Sequence, residues 1–293
     1  MTIILLKQSH IWIPIGVFVK TFHCPSTIRT IQFDLKLSRK KKNLAVSSFA
    51  IFLIDVHLKW FDSLVEPIIL YGSEVWGFEN IQIMERIHLK FCKRISNVRL
   101  STPNYMVYGE LVRYPLEIRV KLRMVSFWTK HVQSENKLSS NLYRLMLQIH
   151  QSGNHDFKWI SFVMSIFDIT GLIYICVNQL NINIHSLKPV LKERLHDHFI
   201  QQLFTDVEHS SRGEFYSICK FEFGFEKYLS KLSVKNRINV SKFRCSNMKF
   251  PIETERWHNI VRNDIICTLC RENIGDEFHY LFICKHELID ALR

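Results

Sequence analysis

Apolar residues recur every three or four positions along most of the chain, which is the spacing typical of amphipathic helices. After Asn80, four apolar residues fall on one side of a predicted helix: Met84, Ile87, Phe91 and Ile95. After Pro189, four more share one face of another: Leu191, Leu195, Phe199 and Leu203. Glycine and proline are scarce, at nine and seven residues, so long helices should dominate over tightly turned sheets. The sequence therefore predicts a mainly α fold.

Further helices are predicted within 46–70, 105–111 and 159–168. The segment 116–128 alternates apolar and charged residues at first, as a strand does, and then follows a helical spacing. Its length and the preceding Pro115 favour a helix, because proline fits the start of a helix.

Two segments are predicted to be turns instead. The stretch 71–80 contains two glycines and two bulky aromatic residues, Trp76 and Phe78, and is expected to form a turn before Asn80 caps the next helix. A second turn is expected at Thr170 and Gly171, where the helix 159–168 ends.

Polar breaks between 132 and 156 suggest a domain boundary near residue 153. The predicted regions are a basic N-terminal segment (1–45), a helical domain (46–152), a second helical region (153–250) and a small metal-binding module (251–293). The fold class expected is thus a helical bundle, a second helical region and a compact C-terminal module.

The charge balance favours a polyanionic partner. Lys and Arg number 39 against 27 for Asp and Glu, giving a net charge of +12. Residues 81–131 alone hold ten Lys or Arg against three Glu. Seven of these basic residues are the candidate nucleic-acid contacts: Arg86, Lys90, Lys93, Arg94, Arg119, Lys121 and Arg123. The first four lie opposite the apolar side of the helix after Asn80. The alternative is an ordinary solvated face.

Two other basic segments remain open to interpretation. The run 39–42 is either a solvated loop or a nuclear address or phosphate contact. Residues 226–250 interleave seven basic residues with Tyr228, Phe243 and Phe250. Such a pattern suits base stacking, but a helix with buried aromatic residues explains it slightly better.

Three of the eight cysteines lie close together near the C-terminal end and point to a metal site. The pattern is Cys267-x2-Cys270-x8-His279-x4-Cys284, in which a two-cysteine knuckle is followed by His and Cys about one helical turn apart. Thiolates and imidazole favour Zn²⁺, and four protein ligands indicate a structural site. Gly275 is expected to let the chain reverse between the two halves, and His286 is the substitute if His279 faces away. The remaining cysteines are expected to be small buried apolar residues.

A membrane role is not expected. The apolar N-terminal stretch lacks the basic start of a signal peptide, and Lys7 and Pro14 interrupt it. The segment 159–178 is long enough to span a bilayer, but Asp168 at its centre would be costly there. A nuclear or cytoplasmic location follows as the expectation.

Six separated stretches, in the same order, resemble the C-terminal part of the reverse transcriptases of LINE-like (non-LTR) retrotransposons. They are 61–95 (FDSLVEPIILYGSEVWGFENIQIMERIHLKFCKRI), 101–128, 159–175, 211–232, 242–257 and 267–284 (CTLCRENIGDEFHYLFIC). The resemblance covers roughly 55–284. It implies that 55–150 form a thumb-like helical region and that 250–293 form a zinc-binding region.

The sequence also departs from that family. The family's polymerase palm holds two metal ions with an adjacent pair of aspartates and a third upstream. This sequence contains no Asp-Asp pair, the stretch ahead of residue 55 is too short for fingers and palm, and no endonuclease is present. Residues 1–45 do not match, and the chain stops nine residues after Cys284. No catalytic residue is therefore assigned, and the chain is expected not to be an enzyme.

Three hypotheses follow. The first is a remnant of a retrotransposon reverse transcriptase that binds RNA or DNA non-specifically, through phosphate contacts, and has a structural zinc ion. The second is an inert fragment, or one reused for protein interaction, whose apolar faces around Ile68, Trp76 and Trp128 are exposed. The third and least favoured is RNA-directed DNA polymerase activity.

Overall fold

The computed structural model describes residues 54–134, 138–210, 213–258 and 260–290. Within these ranges the protein is mainly α-helical, as the sequence predicts, and an antiparallel bridge between Ile266 and Ile274 is the only extended pairing. The N-terminal segment 1–45, with its basic run 39–42, lies outside the described residues.

The first part of the described chain forms a helical bundle. Its helices are α1 (Ile54–Trp60), α2 (Glu66–Ile69), α3 (Ser73–Ile95), α4 (Asn104–Leu111), α5 (Leu116–Gln133), α6 (Leu138–Gln151), α7 (Lys158–Ile169), α8 (Ile173–Val177) and α9 (Ile184–Glu208). A π-helical turn, Phe61–Val65, joins α1 to α2. The bundle agrees with the predicted fold class.

Helix α5 is the centre of the bundle. Val120, Met124 and Trp128 lie four residues apart on its inner face and are almost completely buried. The Trp128 indole nitrogen donates a hydrogen bond to the Tyr143 hydroxyl of α6 at 2.8 Å, so the buried polar atom is satisfied. The segment is helical throughout, which confirms the favoured interpretation, and Trp128 is not exposed.

Helices α3 and α5 form the most extensive helix pair, and Gly77 allows their close approach. A Cβ atom at Gly77 would collide with the Cγ1 atom of Val120. The glycine therefore serves interhelical packing despite its low helix propensity.

The turn predicted at 71–80 is mostly wrong. Only residues 70–72 turn, with Gly72 at a left-handed φ of 68°, and α3 begins at Ser73. Asn80 does not cap a new helix; it marks a kink inside α3, with φ −118° and ψ 15°. The aromatic residues lie within the helix, where the Trp76 indole donates to the Tyr71 carbonyl oxygen at 3.1 Å.

The hydrophobic core is continuous across the boundary predicted near residue 153. Phe167 of α7 packs edge-on against Trp128 of α5, with ring centroids 5.0 Å apart. Leu191 and Leu195 of α9 belong to the same cluster of buried residues. Helices on both sides of the predicted boundary therefore share one core.

The two later apolar helices agree largely with the sequence pattern. Helix α7 ends at Ile169 and is followed by the expected turn. Helix α9 begins at Ile184, five residues before Pro189, because the Asn183 side chain accepts a hydrogen bond from the amide of His185 and caps it. No helix in the described ranges is long and apolar enough to cross a bilayer.

The remaining helices are short and lead to the C-terminal module. They are α10 (Gly213–Cys219), α11 (Tyr228–Lys231), α12 (Val234–Arg244), α13 (Pro251–Thr254) and α14 (Glu287–Asp290), with 3-10 turns at Glu255–His258 and Arg262–Asp264 and a π-helical turn at His279–Ile283. Arg244 anchors α12 to the bundle, since its guanidinium pairs with the buried carboxylate of Glu110 at 2.9–3.0 Å.

Candidate metal centre and nucleic-acid interface

The four predicted metal ligands lie together. One donor atom from each of Cys267, Cys270, His279 and Cys284 lies within 4.8 Å of the others. Cys267, His279 and Cys284 are buried, and Cys270 is partly exposed. Three sulfur atoms and one imidazole in this arrangement could hold a metal ion, with all four positions supplied by protein.

The two cysteines of the knuckle are positioned by a tight turn. The Arg271 amide donates to the Cys267 carbonyl oxygen at 3.0 Å, and the Leu269 amide points at the Cys267 sulfur at 3.4 Å. To close this turn, Arg271 adopts a left-handed φ of 58°. That conformation is unfavourable for a residue with a Cβ atom, so the knuckle contains local backbone strain.

Gly275 has a different role from the predicted chain reversal. Its φ lies outside the left-handed region, but a Cβ atom there would lie 3.2 Å from the Cα atom of Cys267 and 3.0 Å from Pro251 Cγ. The glycine thus permits the metal-binding turn to pack closely against α13.

The second pair of ligands depends on the π-helical turn. Residues five apart in an α-helix would point about 140° away from each other. Here the Cys284 amide donates to the His279 carbonyl oxygen at 2.8 Å. This hydrogen bond joins residues five positions apart, as in a π-helix, and so widens the turn. The wider turn brings His279 and Cys284 to the same side.

His279 is oriented as a ligand through Nε2, which lies 3.1 Å from the Cys270 sulfur. Its own amide donates to the Asp276 carboxylate at 2.7 Å, which fixes the start of the turn. His286, the substitute considered from the sequence, is outside the four-residue group, and its Nδ1 accepts from the Leu288 amide.

The knuckle also favours a thiolate. Burial alone would raise the pKa of the Cys267 thiol, but hydrogen bonds from the Tyr280 hydroxyl and from the backbone at Cys270 and Leu269 outweigh it and lower the pKa to about 6. A thiolate is the form of cysteine that binds metal ions.

Three of the four basic residues predicted on α3 form its cationic face. Arg86, Lys90 and Arg94 are exposed and follow one another at intervals of four residues. Within the described ranges, no acidic side chain forms an ion pair with them. We refer to these three residues as the α3 stripe.

Lys93 does not belong to this face and corrects the sequence prediction. It is buried, and its ammonium group donates to the Leu100 carbonyl oxygen at 2.8 Å and to the Asn104 side-chain oxygen at 2.9 Å. The loop after α3 folds over it. Burial lowers the pKa of Lys93.

The three predicted contacts on α5 are engaged within the fold. Arg119 pairs with Glu66 of α2, Lys121 pairs with Glu117 at 2.7 Å, and Arg123 donates to the Leu70 carbonyl oxygen at 2.7 Å. Because α5 is the central helix, its polar edge meets the neighbouring segment instead of an open groove. Arg119 alone of the three stays exposed.

A buried polar group on α3 was not identified from the sequence. His88 lies inside the bundle, and its Nδ1 is 2.9 Å from a carboxylate oxygen of Glu85, which also accepts from the Tyr108 hydroxyl. Burial alone would lower the pKa of His88, but Cys92 and Glu85 outweigh it and raise the pKa to about 9. The Glu-x-x-His spacing on the apolar side of a helix is the signal that could have shown this group.

The isolated cysteines agree with the prediction. Cys92, Cys176 and Cys245 are buried and free, and Cys219 is partly buried. Cys24 lies outside the described residues.

Comparison of the chain with protein-family models, curated protein sequences and solved structures gives no match. The fold and the arrangement of side chains are therefore the basis for a functional proposal.

Proposed function

We propose that this chain binds RNA or DNA through the α3 stripe, without base specificity and without catalysis, and that its C-terminal module holds a structural Zn²⁺ ion. The observation that carries the binding proposal is the α3 stripe itself. Its three cations are exposed and have no acidic partner among the described residues. The other candidate basic residues on α3 and α5 are bonded within the fold, and Arg119 is exposed but paired with Glu66. Unpaired cations on one helix face suit a phosphate backbone.

The spacing of the α3 stripe supports this choice. Residues four apart on a helix rise by about 6 Å, so the three charges form a row about 12 Å long. The net charge of +12 adds long-range attraction for a polyanion. The likeness to non-LTR reverse transcriptases supports the same partner and an origin as a remnant.

The proposal of a non-catalytic role rests on the sequence, which has no Asp-Asp pair. A primer-extension assay with an RNA template tests it. We expect no more nucleotide incorporation than in a reaction without the protein. Metal-dependent primer extension that co-purifies with the protein would contradict this role.

The binding experiment compares two triple alanine variants. One removes the stripe (Arg86→Ala, Lys90→Ala, Arg94→Ala), and the control removes three exposed lysines elsewhere (Lys158→Ala, Lys188→Ala, Lys192→Ala). Fluorescence anisotropy with single-stranded RNA, single-stranded DNA and a hybrid duplex is measured over a range of salt concentrations.

We expect the stripe variant to lose most of its affinity at low salt. The slope of log K against log salt should fall by about 2, since each neutralised phosphate contributes about 0.7 on a single strand. The control variant should change much less, because its lysines lie outside the stripe. Equal losses in both variants, or no salt-sensitive binding by the unaltered protein, would refute the assignment.

Protein interaction is the second candidate function, and an exposed apolar stretch favours it. Four large side chains from the π-helical turn after α1 to the start of α3 are 40–74% exposed: Leu64, Ile68, Tyr71 and Val75. Ile68 is exposed as predicted, Trp76 is partly buried, and Trp128 is buried. Self-association that disappears in an Ile68→Lys, Val75→Lys variant, with nucleic-acid affinity retained, would favour this function.

A further inference from the structure

The Asn247 side-chain amide connects the loop after α3 to the segment that precedes the C-terminal module. The Asn247 side-chain oxygen accepts a hydrogen bond from the Arg99 amide at 3.0 Å and another from the Thr102 hydroxyl at 3.0 Å. Its nitrogen donates to the Cys245 carbonyl oxygen at 2.6 Å. Asn247 is buried, so the loss of these bonds would leave polar groups without partners.

The segment that carries Asn247 continues directly onto the metal-binding module. The Phe250 ring stacks on Tyr280, with centroids 4.9 Å apart and planes 22° from parallel. The Ile252 amide donates to the Gly275 carbonyl oxygen at 3.2 Å. Tyr280 in turn contacts Thr268, next to the ligand Cys267, through its hydroxyl at 3.1 Å. Residues 250–252 therefore pack on the folded module, whereas the Asn247 amide also donates to the Lys242 carbonyl oxygen at the end of α12 at 2.7 Å.

The loop held by Asn247 begins where the α3 stripe ends. Residues 96–103 join α3 to α4, and the Lys93 ammonium group donates a hydrogen bond to the Leu100 carbonyl oxygen in this loop. Arg99 in this loop is exposed, and so is Lys249, two residues after Asn247. Arg99 thus lies five residues after Arg94, the last cation of the stripe, and Lys249 lies on the segment that Asn247 joins to this loop.

We propose that metal binding at the C-terminal module orders the loop 96–103 through Asn247 and so adds Arg99 and Lys249 to the polyanion-binding surface of α3. The module exposes much of its apolar surface, including Phe278, Phe282 and Leu288, so it has little core of its own and depends on the ion for folding. Loss of the ion removes the supports of Phe250 and Ile252, so that α12 alone restrains Asn247 and its side-chain bonds to the loop weaken. The part of this proposal that concerns polyanions rests on the proposed function, whereas the ordering of the loop does not.

The first test uses the unaltered protein and hydrogen exchange. The Arg99 amide is the direct reporter, because its acceptor is the Asn247 side chain. Protein loaded with Zn²⁺ is compared with protein stripped by a chelator under reducing conditions. We expect removal of the metal to speed exchange at Arg99 by about tenfold or more, with the amides of α5 unchanged. Unchanged protection at Arg99, while residues 265–284 exchange freely, would overturn the proposal.

The second test separates the contact from the ion. Asn247→Ala should bind Zn²⁺ as before but leave Arg99 unprotected in both metal states, because it removes the acceptor oxygen. Asn236→Ala, an exposed asparagine on α12, is the matched control and should behave as the unaltered protein. Protection at Arg99 that persists in Asn247→Ala would also overturn the proposal.

Nucleic-acid binding by the same proteins distinguishes this proposal from the proposed function. Zn²⁺ removal and Asn247→Ala should each lower the slope of log K against log salt by about 1 to 2, the share of two phosphate contacts. Suppose that exchange protection at Arg99 depends on Zn²⁺ but that neither the unaltered protein nor the variants bind nucleic acid. The function proposed for α3 is then wrong, and the ordering of the loop stands. If binding occurs and is indifferent to both changes, the added surface is refuted while the stripe stands.

Discussion

The Sγ atoms of Cys267 and Cys284 lie 4.0 Å apart, although the two residues are 17 positions apart in the chain. Two sulfurs bound to one tetrahedral zinc ion at about 2.3 Å each would lie about 3.8 Å apart. The two halves of the module therefore already have nearly the spacing that a shared ion requires.

Zinc should bind with one ion per chain and should stabilise the module. Replacing Cys267 with Ser removes one of four ligands, so we expect at least a tenfold loss of affinity, with weaker thermal stability of residues 260–290. Metal analysis and competition with a chromogenic chelator measure this. His286→Ala is the control and should retain full binding; a comparable loss in that variant would show that the ligand set is wrong.

Arg271→Gly should stabilise the knuckle. Arg271 holds a left-handed φ of 58°, which glycine adopts without the Cβ penalty of about 1 kcal/mol. The glycine also makes the unfolded chain more flexible, so the net gain should be below about 1 kcal/mol. Slower loss of zinc to a chelator is the expected result, and faster loss would mean that the Arg271 side chain matters more than its backbone.

Stability should fall as pH rises from about 6.5 to about 9, because contacts with Cys92 and Glu85 outweigh burial and raise the pKa of His88 to about 9. The folded pKa lies above the unfolded value near 6.5, so the contribution is complete below pH about 6.5 and disappears above about 9. Its size is about 3 kcal/mol. Urea unfolding across this range, compared with His88→Gln, isolates the effect; parallel curves for both proteins would contradict it.

Gly77→Ala should destabilise the bundle by about 1–3 kcal/mol, even though alanine is the better helix former. The reason is the collision with Val120 on α5. Val120→Ala removes the colliding methyl group and should relieve most of that cost. In a double-mutant cycle the two changes should therefore be strongly non-additive, whereas simple additivity would place the strain elsewhere.

Short-range patterns were sufficient for much of the fold. The apolar spacing of Leu191, Leu195 and Leu203 located one buried face of α9, and ligand spacing alone found the metal-binding group. Both signals are local, since helix faces and ligand turns are set by neighbouring residues.

The errors came from partners that are distant in the chain. Lys93 falls on the polar side of α3 in a helical projection, but the loop that follows folds over it and buries it. Arg119 meets Glu66, which lies 53 residues earlier. Helical periodicity carries no information about such contacts, so the charge of a residue could be predicted but not whether it would be free.

The aromatic segment 71–80 shows a further limit. Its two glycines suggested a turn, yet Gly77 serves contact between helices and only Gly72 uses a left-handed backbone. A glycine required by tertiary packing is indistinguishable in sequence from one required by a turn.

The π-helical turn at His279–Ile283 has a consequence for the length of the module. In an α-helix, two residues with three positions between them lie on the same side. His279 and Cys284 have four positions between them, one more than that spacing. Deleting Phe282, which is exposed, should convert the wide turn to an ordinary one and keep both ligands facing each other. We therefore expect the interval to tolerate a one-residue deletion, because ligand geometry, more than residue count, constrains this part of the chain.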